Sequence, residues 1–375
     1  MASIYIHIPY CKQQCNYCNF HFRISQKDKT EMINCMKKEI TQRADYLDSK
    51  ELETIYFGGG TPSILSVSEI KELLTTINIH YSINNKTEIT LECNPDDIST
   101  KKLIALKKNG INRLSIGVQS FHDKDLEFMN RSHNSKEAIN CIKIAKKVGF
   151  KNITIDLMYG LPNQSLRDWQ KSLNIMFKLD IPHFSAYALT IEPKTALYNL
   201  VKKKKVKILS DEKTISQFNL LQEKAMKNEF VHYEISNFGK KDFFSTHNIG
   251  YWENKHYLGI GPSAHSFNGS SRSWNVSSNK EYISALINKS TYFQTETLSK
   301  EQQYNEYIFT SLRTVWGVDL SIIQQKFNKK IASYFICEIE KWCARKYISI
   351  NKNKYTLTKE GKAFADAIAS DLFIV

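Results

Sequence analysis

Ile4-Tyr5-Ile6-His7-Ile8-Pro9-Tyr10-Cys11-Lys12-Gln13-Gln14-Cys15-Asn16-Tyr17-Cys18 is the stretch whose reading decides the fold. The alternating run from Ile4 to Ile8 predicts a short strand closed by Pro9. Directly after it comes a CxxxCxxC array, three thiols on one short loop that can converge on a single inorganic centre. A [4Fe–4S] cubane usually takes four protein ligands, one per iron. Three cysteines would leave one iron open to bind something else. A zinc ion with a remote fourth ligand is the competing reading of the same residues.

Working outward, strand-like and helix-like runs alternate for about the first two hundred residues. Strands are predicted at 4–8, 54–57, 88–92, 114–118, 153–157 and 183–189. Helices are predicted at 28–47, 66–79, 100–108, 135–148 and 165–177, the second opened by a capping box of Ser66 with Glu69. Strict alternation implies an α/β fold of parallel strands with crossover helices. Chemistry in parallel barrels gathers at the C-terminal strand ends. The cysteine loop, Gly58-Gly59-Gly60-Thr61-Pro62, Glu92, Gln119 and Asp156 all fall at such ends.

Taken together, these residues resemble the radical S-adenosylmethionine (SAM) superfamily. That resemblance implies an incomplete (βα)6 barrel and a [4Fe–4S] cluster on Cys11, Cys15 and Cys18, with SAM on the open iron. Tyr17 is the usual aromatic before the third cysteine. By the same resemblance, Gly59, Gly60 and Thr61 belong to a GGGTP motif at the methionyl amino group, and Tyr5 lines the nucleoside side. Glu92, Gln119, Arg131 and Asp156 match further SAM-site positions. Carboxylates for the ammonium and ribose hydroxyls, and a cation for the carboxylate, are what a zwitterionic cofactor needs.

The string from Tyr5 to Cys11 is similar to the branch holding the oxygen-independent coproporphyrinogen III oxidases and the HemW-type haem chaperones. The oxidases have a fourth cysteine two residues after the third and a long N-terminal extension. Here Phe20 stands at that place, and three residues precede the strand. Thr246-His247-Asn248-Ile249-Gly250-Tyr251-Trp252 and Leu258-Gly259-Ile260-Gly261-Pro262-Ser263-Ala264-His265-Ser266 resemble strings of the chaperone branch. His247 and His265 are candidates for haem ligation, since neutral imidazole binds iron well. They are equally readable as histidines that fix a loop. His7 reads as a packing residue, and His133 has no assignable role. The resemblance therefore implies a haem carrier serving haem-accepting proteins, without oxidase activity. Radical decarboxylation of coproporphyrinogen III is the alternative.

Composition agrees with a globular chain of 375 residues, 42% hydrophobic and 24% charged. No run approaches the ~20 apolar residues of a membrane span. The start lacks a signal-peptide layout, and Cys35, Cys93, Cys141, Cys337 and Cys343 read as buried free thiols, so a cytoplasmic setting is expected. The net charge of +14 is mostly lysine spread along the chain. Its one run, Lys202 to Lys205 with Lys207, reads as a solvated loop, and no nucleic-acid partner is expected. Peripheral association with a membrane, the oligomeric state and the haem acceptor stay open. A helix at 211–228 and an irregular region at 231–275 come after the barrel. Residues 276–375 form a C-terminal, mostly helical, winged-helix-like domain: helices at 300–314, 320–327 and 331–346, a hairpin at 347–350 and 354–357, and a last helix at 359–372. The first 275 residues hold the barrel and its extension, and the two parts are expected to pack together.

Overall fold

A computed structural model of the chain describes residues 2–374. The first half runs β1 (Ala2–Ile8), α1 (Lys29–Gln42), β2 (Leu52–Gly59), α2 (Val67–His80), β3 (Glu88–Cys93), α3 (Thr100–Lys108), β4 (Arg113–Gln119), α4 (Asp123–Phe128), α5 (Ser135–Val148), β5 (Asn152–Tyr159), α6 (Leu166–Lys178) and β6 (His183–Ala188). The six strands lie side by side in chain order, all parallel. Ile4, Ile6 and Ile8 are fully buried, with Met32, Ile33 and Met36 of α1 in the same core. The alternate positions of β1 turn to the opposite face of the sheet.

Local chemistry sets the helix ends. Ser66 and Glu69 form the expected capping box on α2, and Asn134 with Glu137 makes a second one on α5. Gly149, at φ +89°, closes α5 in the left-handed region that side chains avoid.

Beyond the barrel come α7 (Ala196–Lys202), α8 (Asp211–Lys227), β7 (Val231–Glu234), β8 (Asn237–Gly239), α9 (Thr246–Trp252), β9 (Tyr257–Ile260), β10 (His265–Phe267), β11 (Ser271–Asn275), α10 (Asn279–Asn288) and β12 (Phe293–Thr297). The lysines at the end of α7 and just beyond it are exposed, as a solvated loop requires. The irregular region expected at 231–275 is instead ordered sheet and helix. Its strands have only three to five residues, too short for an alternation to show. β8 pairs antiparallel with β6 and β9 pairs parallel with β1, so both edges of the six-stranded core are extended into a twelve-stranded sheet.

One buried carboxylate ties this extension to the barrel. Glu39 of α1 accepts from the Gly261 N–H at 2.8 Å, from Asn275 Nδ2 at 2.7 Å and from the Tyr282 hydroxyl, with Arg43 at 3.5 Å. Residues 276–297, read from sequence with the second unit, pack on the first: β12 pairs with β11, and α10 carries Tyr282, Ile283 and Leu286 into the barrel's core.

The remainder is α11 (Lys300–Leu312), β13 (Val318–Asp319), α12 (Leu320–Lys326), α13 (Lys329–Ala344), β14 (Ile348–Asn351), β15 (Lys354–Leu357) and α14 (Ala365–Asp371). The three strands order as β13-β15-β14 over a separate apolar cluster running from Tyr304 to Leu372, a winged-helix arrangement. The helix expected at 359–372 is broken by a 3-10 turn at Gly361–Phe364. Gly361 sits there because a Cβ would lie 2.0 Å from the Tyr347 carbonyl oxygen. The five scattered cysteines divide. Cys35, Cys93 and Cys141 are buried, but Cys343 is half-buried and Cys337 exposed, because α13 turns part of its surface to solvent. Arg313 joins the units by pairing with buried Glu234 at 3.2 Å. Among the described residues no helix is long and apolar enough to cross a membrane.

Candidate cluster and cofactor site

Parallel register decides which side chains share the barrel interior. Tyr5 lies opposite Tyr56, which lies opposite Thr90. Two residues on, Glu92 is opposite Ser115, itself opposite Thr154. Two further on, Asp156 is opposite Ser185. With a side-chain period of two, Tyr5, Tyr56, Glu92 and Asp156 therefore project to one face. The Tyr56 hydroxyl donates to Glu92 at 2.8 Å.

Nearer the N-terminal strand ends the same face is sealed. Glu88 accepts from the backbone N–H of Thr246 at 3.3 Å and of His247 at 3.2 Å, which fixes the start of α9 against the barrel. His183 is wedged between Thr154 (2.6 Å) and the Tyr233 hydroxyl (2.7 Å).

The cysteine loop lies at the opposite end. It is pinned to the end of α4 and the residues just after it: Asn16 N–H donates to Met129 O at 3.0 Å, Asn16 Nδ2 to Phe128 O at 2.6 Å, and Asn130 Nδ2 to Gln14 O at 2.7 Å. Lys12 pairs with Asp96 at 2.9 Å and with Asp97. Tyr17 packs against the small apolar cluster of Leu126, Met129, Met158 and Leu161. Two donors reach the sulfurs: Thr61 Oγ1 lies 3.4 Å from Cys11 Sγ, and an Arg131 terminal nitrogen lies 3.3 Å from Cys15 Sγ. Burial pushes the Cys11 thiol up to about 12 and raises Cys18 as well. Metal ligation reverses that preference, because only the thiolate is a ligand.

Arg131 also donates to Asn94 Oδ1 at 2.7 Å and to the Gly117 carbonyl at 2.8 Å, leaving its buried Nε without a partner. Burial works against its charge, but Tyr17 and Cys15 hold the guanidinium firmly protonated. Gln119 ends β4 at φ +63°, an uncommon conformation for a side-chain-bearing residue, with its amide nitrogen facing Gly117. Burial raises Glu92 to about 8, with Asp156 adding to it. Burial also raises Asp156 to about 6, against hydrogen bonds from Ser185 and Ser115.

The glycine run needs its missing side chains. A Cβ on Gly58 would sit 2.9 Å from the Tyr5 ring and 3.2 Å from Glu92 Oε1. Gly59 has φ +105° and the His7 ring at 2.7 Å, while Gly60 has the Tyr10 carbonyl oxygen at 2.6 Å. The backbone between β2 and Pro62 thus forms a floor on which a ligand can lie close.

These residues fit a cluster with SAM: three thiols flanked by sulfur donors, a glycine cradle, two carboxyls held near neutrality and an unpartnered guanidinium nitrogen. The site also uses Tyr56 and Asn94, to which motif reading gave no role. Asn94 was detectable, since it directly follows Glu92-Cys93 and precedes Pro95 at a strand end.

His247 packs behind the pocket face, against Tyr56. It is 2% exposed, with Nδ1 bonded to Thr54 Oγ1 at 2.6 Å and Nε2 to the Tyr251 hydroxyl at 2.9 Å. Its ring stacks on Tyr56 at 4.8 Å, so neither nitrogen has a free lone pair facing an open space. His133 is likewise occupied, bonding the Val118 carbonyl at 3.1 Å.

The radical SAM superfamily model matches residues 5–176, and the HemN C-terminal domain model matches residues 298–364. The chain is 35% identical to the heme chaperone HemW of Bacillus subtilis, over 98% of each chain. It is 31% identical to the heme chaperone HemW of Lactococcus lactis, over 96% of this chain and 94% of that one. Among solved structures, the Escherichia coli coproporphyrinogen III oxidase HemN, a radical SAM enzyme, superposes with a TM-score of 0.85 over 99% of this chain and 90% of that one. Identity there is 21%, which speaks to the fold alone.

Proposed function

Because this chain belongs to the radical SAM superfamily, in the family of HemW haem chaperones, we propose that it binds haem and passes it to haem-accepting proteins. The observation that carries this reading is the end-to-end similarity to the Bacillus subtilis haem chaperone. Phe20, standing where the oxidases are expected to have a fourth cysteine, points the same way.

In this reading Cys11, Cys15 and Cys18 would hold a [4Fe–4S] cluster, and the residues around the glycine cradle would hold SAM beside it. When bound, the pair supplies an electron-transfer step to the SAM sulfonium. The chain's own part is binding and charge control. Glu92 gives up its proton to face an ammonium, and Arg131 meets a carboxylate while steadying the Cys15 sulfur. Asp156 accepts from ribose hydroxyls, Tyr5 and Tyr17 bound the hollow, and Gly59, Gly60, Thr61 and Gln119 offer backbone and amide contacts. We also propose residue 298 as the start of the C-terminal domain, on the change of apolar cluster.

The test is anaerobic reconstitution with iron, sulfide and SAM, then parallel assays of haem binding and coproporphyrinogen III consumption. Stable haem binding without conversion is the expected result. Protoporphyrinogen formation would overturn it in favour of radical decarboxylation.

A further inference from the structure

A separate hollow of about 770 Å³ opens on the surface at the cysteine loop, with Cys18 in its wall. Two large apolar side chains stand bare beside it, Phe20 at 67% and Ile24 at 55% exposed, and the exposed Arg23 and Lys194 flank them.

Charge around this hollow is of one sign. The first 27 residues hold Lys12, Arg23 and Lys27 and no carboxylate. Between Glu192 and Asp211 come six lysines, Lys194, Lys202 to Lys205 and Lys207, again without a carboxylate. Arg23 and these six lysines are exposed, and none makes an ion pair among the described residues. The carboxylates close by are already engaged: Glu192 accepts from Asn19 Nδ2 at 3.2 Å, and Asp96 and Asp97 pair with Lys12.

Hydrogen bonds hold both basic segments against the cysteine loop. The Arg23 N–H donates to the Pro9 carbonyl at 2.9 Å and the Cys11 N–H to the Arg23 carbonyl at 3.0 Å, so the chain beyond Cys18 folds back onto the start of the array. At the start of α7 the Leu197 N–H donates to the Asn16 carbonyl at 2.8 Å. A helix rises about 1.5 Å per residue, which puts the lysine end of α7 roughly 10 Å from that anchor, about one Debye length at 0.1 M salt. The run is wound into the helix end, with the Lys203 N–H on the Asn199 carbonyl (3.0 Å) and the Lys205 N–H on the Leu200 carbonyl (2.9 Å). Exposure alone suits a solvated turn. A fixed place beside the cysteine loop makes these charges part of one surface.

We infer that this surface docks a small acidic one-electron carrier protein, with Phe20 and Ile24 central in the contact and Arg23 and the lysines at its rim. The inference rests on the cluster reading of Cys11, Cys15 and Cys18. An electron passed to the sulfonium has to be replaced from outside, and a carrier seated here faces Cys18. The carrier gives up one electron and the cluster gains it; no bond forms or breaks and no proton moves. A bare apolar centre within a charged rim suits a small, short-lived protein contact. A rim of one sign speeds encounter with a partner of the other sign by about 10- to 1000-fold. An anionic lipid surface would meet the same lysines, but would gain nothing from their place at the cysteine loop.

The test measures anaerobic binding of the full-length, cluster-loaded protein to an immobilised acidic [2Fe–2S] ferredoxin and to an acidic flavodoxin, at low and at high salt. The parent should bind one of them at low salt and weaken by about tenfold or more at high salt. Replacing Lys202, Lys203, Lys204 and Lys205 together with Gln should slow association by about tenfold or more. Ile24→Asp, at an exposed position, should weaken the complex by about tenfold through faster dissociation. Bleaching of the cluster by the reduced carrier should slow in both variants, while bleaching by dithionite stays at the parent's rate. Carrier binding that is unchanged in both variants would overturn the surface. A parent that binds neither carrier would overturn it as well, and its capture by phosphatidylglycerol vesicles would assign the lysines to lipid instead. Iron and sulfide analysis reports separately on the cluster, whose absence from the loaded parent would overturn the reading beneath.

Discussion

Replacing Glu92 with Gln tests the electrostatics of the proposed SAM pocket most directly. Burial raises this carboxyl from its ordinary value of 4.5 to about 8, with the nearby Asp156 carboxylate as a further cause. A carboxyl raised in the folded state is held in its neutral form. The stability it allows is fully present below the unfolded value and is lost as pH rises through the folded one, here between about 4.5 and 8. At 1.36 kcal/mol per pH unit, the penalty for ionising Glu92 above pH 8 is at most about 5 kcal/mol, and water reaching the barrel mouth reduces it to roughly 2–3 kcal/mol. Gln keeps an acceptor for the Tyr56 hydroxyl and never ionises. In SAM-free protein, Glu92→Gln should therefore match the parent near pH 5 and exceed it by a few kcal/mol near pH 9, read from urea-denaturation midpoints. SAM affinity should move the opposite way, falling by about tenfold or more at pH 8, because the amide cannot offer a full charge to an ammonium. A stability difference that is the same at both pH values would refute the reasoning.

Three further outcomes are expected. Replacing Cys11, Cys15 and Cys18 together with Ala should abolish the cluster's visible absorbance after anaerobic loading, and a full complement of iron and sulfide in that variant would remove the loop as the ligand set. Gly59→Ala places a Cβ against the His7 ring at φ +105°, so SAM affinity measured by calorimetry should drop at least tenfold, with roughly 1–2 kcal/mol of added backbone strain; wild-type affinity would contradict the cradle. Glu39→Ala leaves Arg43, Asn275 and the Gly261 N–H without their buried acceptor, and a loss of roughly 3–5 kcal/mol is expected by denaturation, with a loss under 1 kcal/mol counting against the network.

Much of the barrel was legible because its signals are local and redundant. Ser135–Val148 reads correctly to the residue because Asn134, Glu137 and Gly149 mark both ends of an amphipathic run. Glu92 and Asp156 were readable as neighbours because each sits at the end of an apolar strand, and parallel pairing converts that position into a shared face. The features that escaped were set by distant partners. Strands β7 to β11 have three to five residues each and are added outside the six-stranded parallel core, too short for an alternation to separate them from loop. His247 carries the chemistry of a ligand, and only its spatial neighbours Thr54 and Tyr251 reveal that both nitrogens are spent on structure. Tyr56 matters through its hydroxyl's contact with Glu92, which no motif encodes.

The pairing of β9 with β1 bears on the order in which the molecule can be assembled. Ser3 lies beside Tyr257 in the finished sheet, so the strand that leads into the cysteine loop keeps an open edge until roughly 250 further residues have been synthesised. During that interval the strand is secured on one side only, by β2, and its bare edge is a template for mispairing with other chains. The same delay leaves Cys11, Cys15 and Cys18 accessible to an iron–sulfur donor before the turn at Gly261 closes against His7. Ribosome-bound chains stalled before residue 257 would on this account load a cluster faster than the released protein, and would also be the species most prone to aggregate.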